Sequence, residues 1–242
     1  NADGSQKDVR RDVNFVDYAY VWNATTETQD KSYTASSIAK SLYRYPGKWR
    51  REWMALGFVD PNHTGVNYCP LRYADVVLMA AEAYNETNNT TEAWKLLNDV
   101  RQRAEATPIT SANYASLMKA PKVYNLDFID DSDDAGKFRT ALYWERGFEL
   151  CYEGQRKYDF LRWGCLGDAL RAAQAYIESW YPDANEYINA STLQSWDPVS
   201  WASSNYVAGH NFVDGKHELY PIPLAEIQSN AALNGQNNPG FE

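Results

Sequence analysis

The sequence predicts a mainly α chain of helical hairpins, with long irregular loops and a few short strands. Three observations carry this reading. Residues 71–103 space their apolar side chains as two helices do, with the break NETNNTT between them. Residues 139–163 put Leu142, Tyr143, Trp144, Phe148, Leu150, Cys151 and Tyr152 on nearly every helical face, as in a helix buried all round. Residues 181–215 show no sustained period and hold Tyr181, Tyr187, Trp196, Trp201, Tyr206 and Phe212.

In chain order, residues 1–12 are polar and charged and read as a loose leading segment. They lack the basic, apolar and small-residue succession of a signal peptide. NFVDYAYVW at 14–22 alternates enough for a short strand, and the Thr, Ser, Asp and Gln content of 23–40 suits a surface loop or irregular hairpin. YRYPGKWRREW at 43–53 joins a Pro-Gly turn signal to basic and aromatic residues, where Arg–aromatic stacking is expected.

Within 71–103, Val77, Ala80, Ala81 and Tyr84 share one face, and Ala93, Leu96, Leu97 and Val100 share a face of the second helix. Small Ala81 and Ala93 permit close approach, and Thr90 or Thr91 is placed to cap the second helix. The spacing resembles one tetratricopeptide unit, which cannot bury its own face without neighbours. The acidic run DFIDDSDDAG at 127–136 matches part of a calcium loop through Asp131, Asp133 and Gly136, but Leu142 stands where the bidentate glutamate is required. It reads instead as a solvated loop, with Asp133 or Asp134 capping the next helix. GDALRAAQAYIESW at 167–180 is a further amphipathic helix stopped by Pro182, and the end of the chain is extended, then briefly helical, then irregular.

The helix of 139–163 also carries charge. Glu145, Arg146, Glu149 and Glu153 are followed by Arg156, Asp159 and Arg162, at spacings that let acids and bases meet along a helix surface. The bland reading is a paired structural ion network, since charges are buried only when paired. The sharper one makes Glu145 and Glu149 the acid/base pair of a glycoside hydrolase, although Arg146 and Arg156 nearby would lower rather than raise their pKa values. Gly154 marks a break or a close approach between two helices.

Bulk properties narrow the function. A net charge of −9 and a pI near 4.9 argue against nucleic acid as a partner. No apolar run is long enough to span a bilayer. Cys69, Cys151 and Cys165 cannot all pair, and Cys151 reads as an inert thiol within the buried helix. His63, His210 and His217 show no metal-ligand spacing, so no metal and no cofactor are expected. Asn-x-Thr/Ser sequons at Asn23, Asn62, Asn85, Asn88, Asn89 and Asn189 read as chance in an Asn/Thr-rich chain.

Three segments carry a resemblance: PLRYADVVLMAAEAYNETN at 70–88, ERGFELCYEGQRKYDFLRWG at 145–164 and ELYPIPLAEIQSNAALNGQNNPGF at 218–241. Together and in this order they resemble the SusD/RagB family of outer-membrane nutrient-binding lipoproteins. The resemblance covers 1–242 as one domain like the carboxy-terminal half of such a protein, without the lipoprotein signal or the long helical amino-terminal half. It implies a non-enzymatic protein, lipid-anchored and exposed at the cell surface. Such a protein captures oligosaccharide or polysaccharide, less often peptide, above a SusC-like TonB-dependent transporter.

Sugars present apolar faces and polar edges, which suit aromatic rings beside amides and carboxylates. The 180–212 segment offers Trp196, Trp201 and Tyr206 as preferred ligand contacts, with Trp180 and Tyr181 next and Trp22, Trp49 and Trp53 as secondary candidates. A third reading, a helical scaffold for protein partners alone, predicts that the 180–212 aromatics are buried.

Overall fold

The structure, a computed structural model, describes residues 8–16, 18–26, 28–33, 45–50, 53, 65–117, 131–175 and 211–241. The chain divides into two compact units, one of Asn1–Ala120 with Phe128–Arg156 and one of Pro121–Asp127 with Lys157–Glu242.

The first unit is built on three mutually packed helices: α2 (Tyr73–Glu86), α3 (Thr90–Arg103) and α5 (Asp134–Glu149). The α2–α3 pair is the expected tetratricopeptide-like hairpin, and Ala81 and Ala93 are both fully buried where the helices approach. Leu78, Leu97, Ile109, Phe138 and Leu142 fill the core, and Trp94 meets Phe138 edge-on at 5.1 Å. The inward face of α2 is rotated from the expected one. Ala74, Asp75, Leu78, Ala81 and Asn85 are buried, whereas Tyr84 is 43% exposed. The apolar pattern alone misplaced the stripe because two of its members are polar and satisfied. Asp75 accepts from Arg146 at 2.8 Å, and Asn85 accepts from Thr90 Oγ1 at 3.0 Å.

Caps follow the same logic. Asp133 caps α5, accepting from the Gly136 N–H at 2.7 Å. The cap of α3 is Asn89 rather than Thr90 or Thr91, because Thr90 Oγ1 is committed to Asn85.

Ahead of the hairpin, residues 10–14 form α1 (Arg10–Asn14) instead of a loose segment. Arg10 and Asn14 are buried there, and Asn14 Nδ2 donates to the Phe148 carbonyl at 2.8 Å. The expected strand over 14–22 starts one residue late and is divided into β1 (Phe15–Val16) and β2 (Tyr18–Asn23). β2 pairs antiparallel with β3 (Thr28–Tyr33), from Tyr18↔Tyr33 to Asn23↔Thr28, so part of 23–40 is a hairpin arm. β1 pairs antiparallel with β4 (Tyr45–Pro46). A short α4 (Tyr114–Leu117) lies in the connection before α5, and Tyr114 donates to Asp131.

α6 (Arg156–Arg162) begins at the boundary of the units. In the second unit residues 166–175 are helical, with Ala169 and Ala172 inward, and Arg171 pairs with Asp168 and Asp214. α7 (Leu224–Ser229) and a 3-10 turn (Ala231–Leu233) follow. Asn237 and Asn238 fasten the end of the chain to the backbone of Ile222 and Tyr220. Among the described residues no helix is long and apolar enough to cross a membrane.

Candidate functional site

Glu145, Glu149 and Glu153 occur at four-residue steps at the end of α5 and just beyond it, so they form one acidic row. The sequence pattern has them satisfied by bases of their own helix. The structure supplies the bases from elsewhere. Glu145, fully buried, accepts from Arg10 at 2.5 Å and from Arg101 at 2.6 Å. Glu149 accepts from Arg10 at 3.0 Å, from Arg72 at 2.5 Å and from Arg103. Glu153 accepts from Arg72 Nε at 2.6 Å and from Lys48. The row therefore ties α1, the β4 turn, the start of α2 and the end of α3 to α5.

Within the helix, Arg146 instead pairs with Asp75, buried on both sides. Arg156 lies 4.1 Å from the Tyr143 ring centre and donates to the Tyr143 carbonyl at 2.7 Å. Asp159 and Arg162 form a local pair at 3.0 Å, in the second unit. Gly154, with φ of +77°, supplies the left-handed residue that turns the chain after Glu153. Cys151 sits just past α5 and is half-buried, not within a buried helix as expected, and burial pushes its thiol pKa up.

The electrostatics of the row are set by these partners. Burial alone would raise the Glu149 carboxyl. Hydrogen bonds and charge from Arg72, with Arg10 and Arg103 added, outweigh it and hold the group below the usual carboxylate range. Burial lowers Lys48 despite its bond to Glu153, and the Arg72 charge adds to the effect.

Above this row lies a depression of about 380 Å³. Its lining includes Lys48, Trp49, Trp53, Arg72, Arg103 and Glu149. Trp53 is 56% exposed, and Trp49 stacks on Tyr68 at 5.6 Å while its Nε1 donates to the Tyr152 carbonyl at 3.2 Å. Arg50 holds the turn that carries both tryptophans, donating to the carbonyls of Gly47, Asp12 and Val13. The volume falls in the range of small-ligand sites, and flat rings with several hydrogen-bond donors suit a polar, partly apolar-faced ligand.

The structure thus brings together two of the secondary aromatic candidates, Trp49 and Trp53, with the acidic row. Trp180, Tyr181, Trp196, Trp201 and Tyr206, and the side chain of Trp22, lie outside the described residues. Arg10, Lys48, Arg72, Arg101 and Arg103 were absent from the sequence-derived site. Their only signal was indirect, since an acidic row with so few bases of its own on the inward face requires cations from other segments.

The geometry can be set beside known proteins. The SusD family profile matches residues 2–241. SusD-like protein P25 of Formosa agariphila is 31% identical over 172 residues, 71% of this chain and 24% of that protein. SusD-like protein P2 of the same organism is 30% identical over 247 residues, 99% of this chain and 38% of that protein. The crystal structure of a SusD homolog from Bacteroides thetaiotaomicron superposes with a TM-score of 0.62 at 27% identity, over 97% of this chain and 41% of that one. The chain spans less than half the length of each of these relatives. With its helical hairpin, its paired acidic row and a family profile matched along nearly its whole length, the chain belongs to the SusD family.

Proposed function

We propose that the chain serves in a non-enzymatic nutrient-binding protein, lipid-anchored at the outer-membrane surface, which captures oligosaccharide for a SusC-like TonB-dependent transporter. Family membership supports the class of function. The observation that carries the binding role is the depression in which exposed Trp53 and half-buried Trp49 stand beside hydrogen-bond donors. Trp196, Trp201, Tyr206, Trp180 and Tyr181 are proposed as further contacts.

The hydrolase alternative is disfavoured by the state of its two carboxylates. Glu145 and Glu149 have side chains 0% and 2% exposed, and each is bound by at least two arginines. A general acid needs a raised pKa and access to the substrate, and Glu149 is held low. The test is a screen of oligosaccharides and polysaccharides by tryptophan fluorescence, with product analysis of each hit. Saturable binding with intact glycan supports the reading, and cleaved glycan overturns it.

A further inference from the structure

Charge is distributed unevenly across the depression. Its acids are buried, and one of its bases, Arg103, is well exposed. Glu149 and Glu153 have side chains 2% and 9% exposed, whereas Arg103 is 58% exposed on the same lining. Counted over the network, Arg10, Lys48, Arg72, Arg101 and Arg103 face Asp8, Glu145, Glu149 and Glu153, so the cations outnumber the acids by one. The charge that solvent meets here is therefore positive, on a chain whose net charge is −9.

Arg103 is also the least committed of these cations. Its Nη2 donates to Glu149 Oε1, and neither Nε nor Nη1 has a hydrogen-bond partner among the described residues. A guanidinium presents several donors in a rigid fork, which fits a planar or tetrahedral oxyanion better than it fits a neutral hydroxyl. Arg72 is mostly spent: its Nε, Nη1 and Nη2 all donate to Glu149 or Glu153.

We propose that this depression selects an anionic oligosaccharide, with Arg103 meeting the carboxylate or sulfate of one sugar unit while Trp53 offers its face to the ring. The proposal rests on the glycan-binding reading above and adds the ligand's charge to it. Lys48, on the same lining, is already engaged by Glu153 and the Glu149 carbonyl. The buried glutamates do not oppose the ligand, because arginines already neutralise them.

The experiment compares three probes on the intact chain: a galacturonate oligosaccharide, its fully methyl-esterified neutral form, and a sulfated galactan oligosaccharide. Affinity is measured by calorimetry at low and at high salt. The expected result is binding of a charged probe at least tenfold tighter than the neutral one, weakened by salt, with the two charged arms telling carboxylate from sulfate. Arg103→Gln should remove most of that preference, lowering affinity for the charged probes far more than for the neutral form. Lys95→Gln, an exposed cation away from the depression, should change neither. Equal affinity for charged and neutral probes, or a preference that survives Arg103→Gln, overturns the anionic selectivity and leaves the glycan-binding reading standing. Failure of all three probes and of the wider glycan screen overturns both.

Discussion

Arg10 and Glu145 lie 135 residues apart in the chain and are joined by a hydrogen bond of 2.5 Å, Nη1 to Oε1, with the carboxylate fully buried. Arg101 takes the other carboxylate oxygen at 2.6 Å. A leading segment that reads as loose from its composition is thus fixed to the last turns of α5, by Arg10 on Glu145 and Glu149 and by Asn14 on the Phe148 carbonyl. Charge buried so deeply is tolerable only because both oxygens are occupied.

Glu145→Gln should therefore destabilise the chain strongly. The amide keeps the shape but leaves Arg10 and Arg101 buried without a counter-charge at this point, a loss of about 3–5 kcal/mol. Denaturant unfolding measures it. A loss below about 1 kcal/mol would mean that the pair is incidental to folding.

Glu149 gives a pH signature. Its folded pKa lies below the ordinary value near 4.5, so its charged form stabilises the fold fully above that value. The contribution is lost as pH falls through the lower folded value. Between pH 5 and 3 the melting temperature of the native chain should fall more steeply than that of Glu149→Gln, which has no such proton to take up. Parallel curves would place the acid sensitivity elsewhere, with Asp8 and Glu86, both also held low by arginines, as the next groups to examine.

How much of this was legible in the sequence differs by kind of feature. The α2–α3 hairpin, Asp133 as a cap and the buried character of α5 follow from local spacing and were readable. The partners of the acidic row were not. Helical spacing places Arg146 one residue from Glu145, yet that side chain reaches Asp75 on α2, because adjacent helix positions face different directions. The turn within 43–53 was readable, and Trp49 and Trp53 were readable as secondary candidates for ligand contact. Its docking against α1 by Arg50, a contact between residues nearly forty positions apart, was not.

Trp53→Ala should separate platform from core. The ring is more than half exposed, so its removal should shift the melting temperature by no more than a degree or two, while glycan affinity falls about three- to tenfold. The same measurement on Trp196→Ala and Trp201→Ala tests the candidates of the 180–212 segment. A large loss of thermal stability in any of the three assigns that ring to the core instead.

Gly47 tests whether the docked turn is required. A Cβ at this position would stand 2.0 Å from the Val13 carbonyl oxygen, and that atom is backbone and cannot swing aside. The Gly47 N–H also donates to the Asn14 carbonyl at 2.8 Å, so α1 and the β4 turn approach through a residue without a side chain. Gly47→Ala should push the turn off α1, costing about 1–3 kcal/mol or more. Because Lys48 and Trp49 follow directly, glycan binding should fall with stability, whereas Trp53→Ala loses binding alone. If Gly47→Ala keeps its melting temperature and its affinity, the turn does not depend on this contact, and the depression is not organised by the approach of α1.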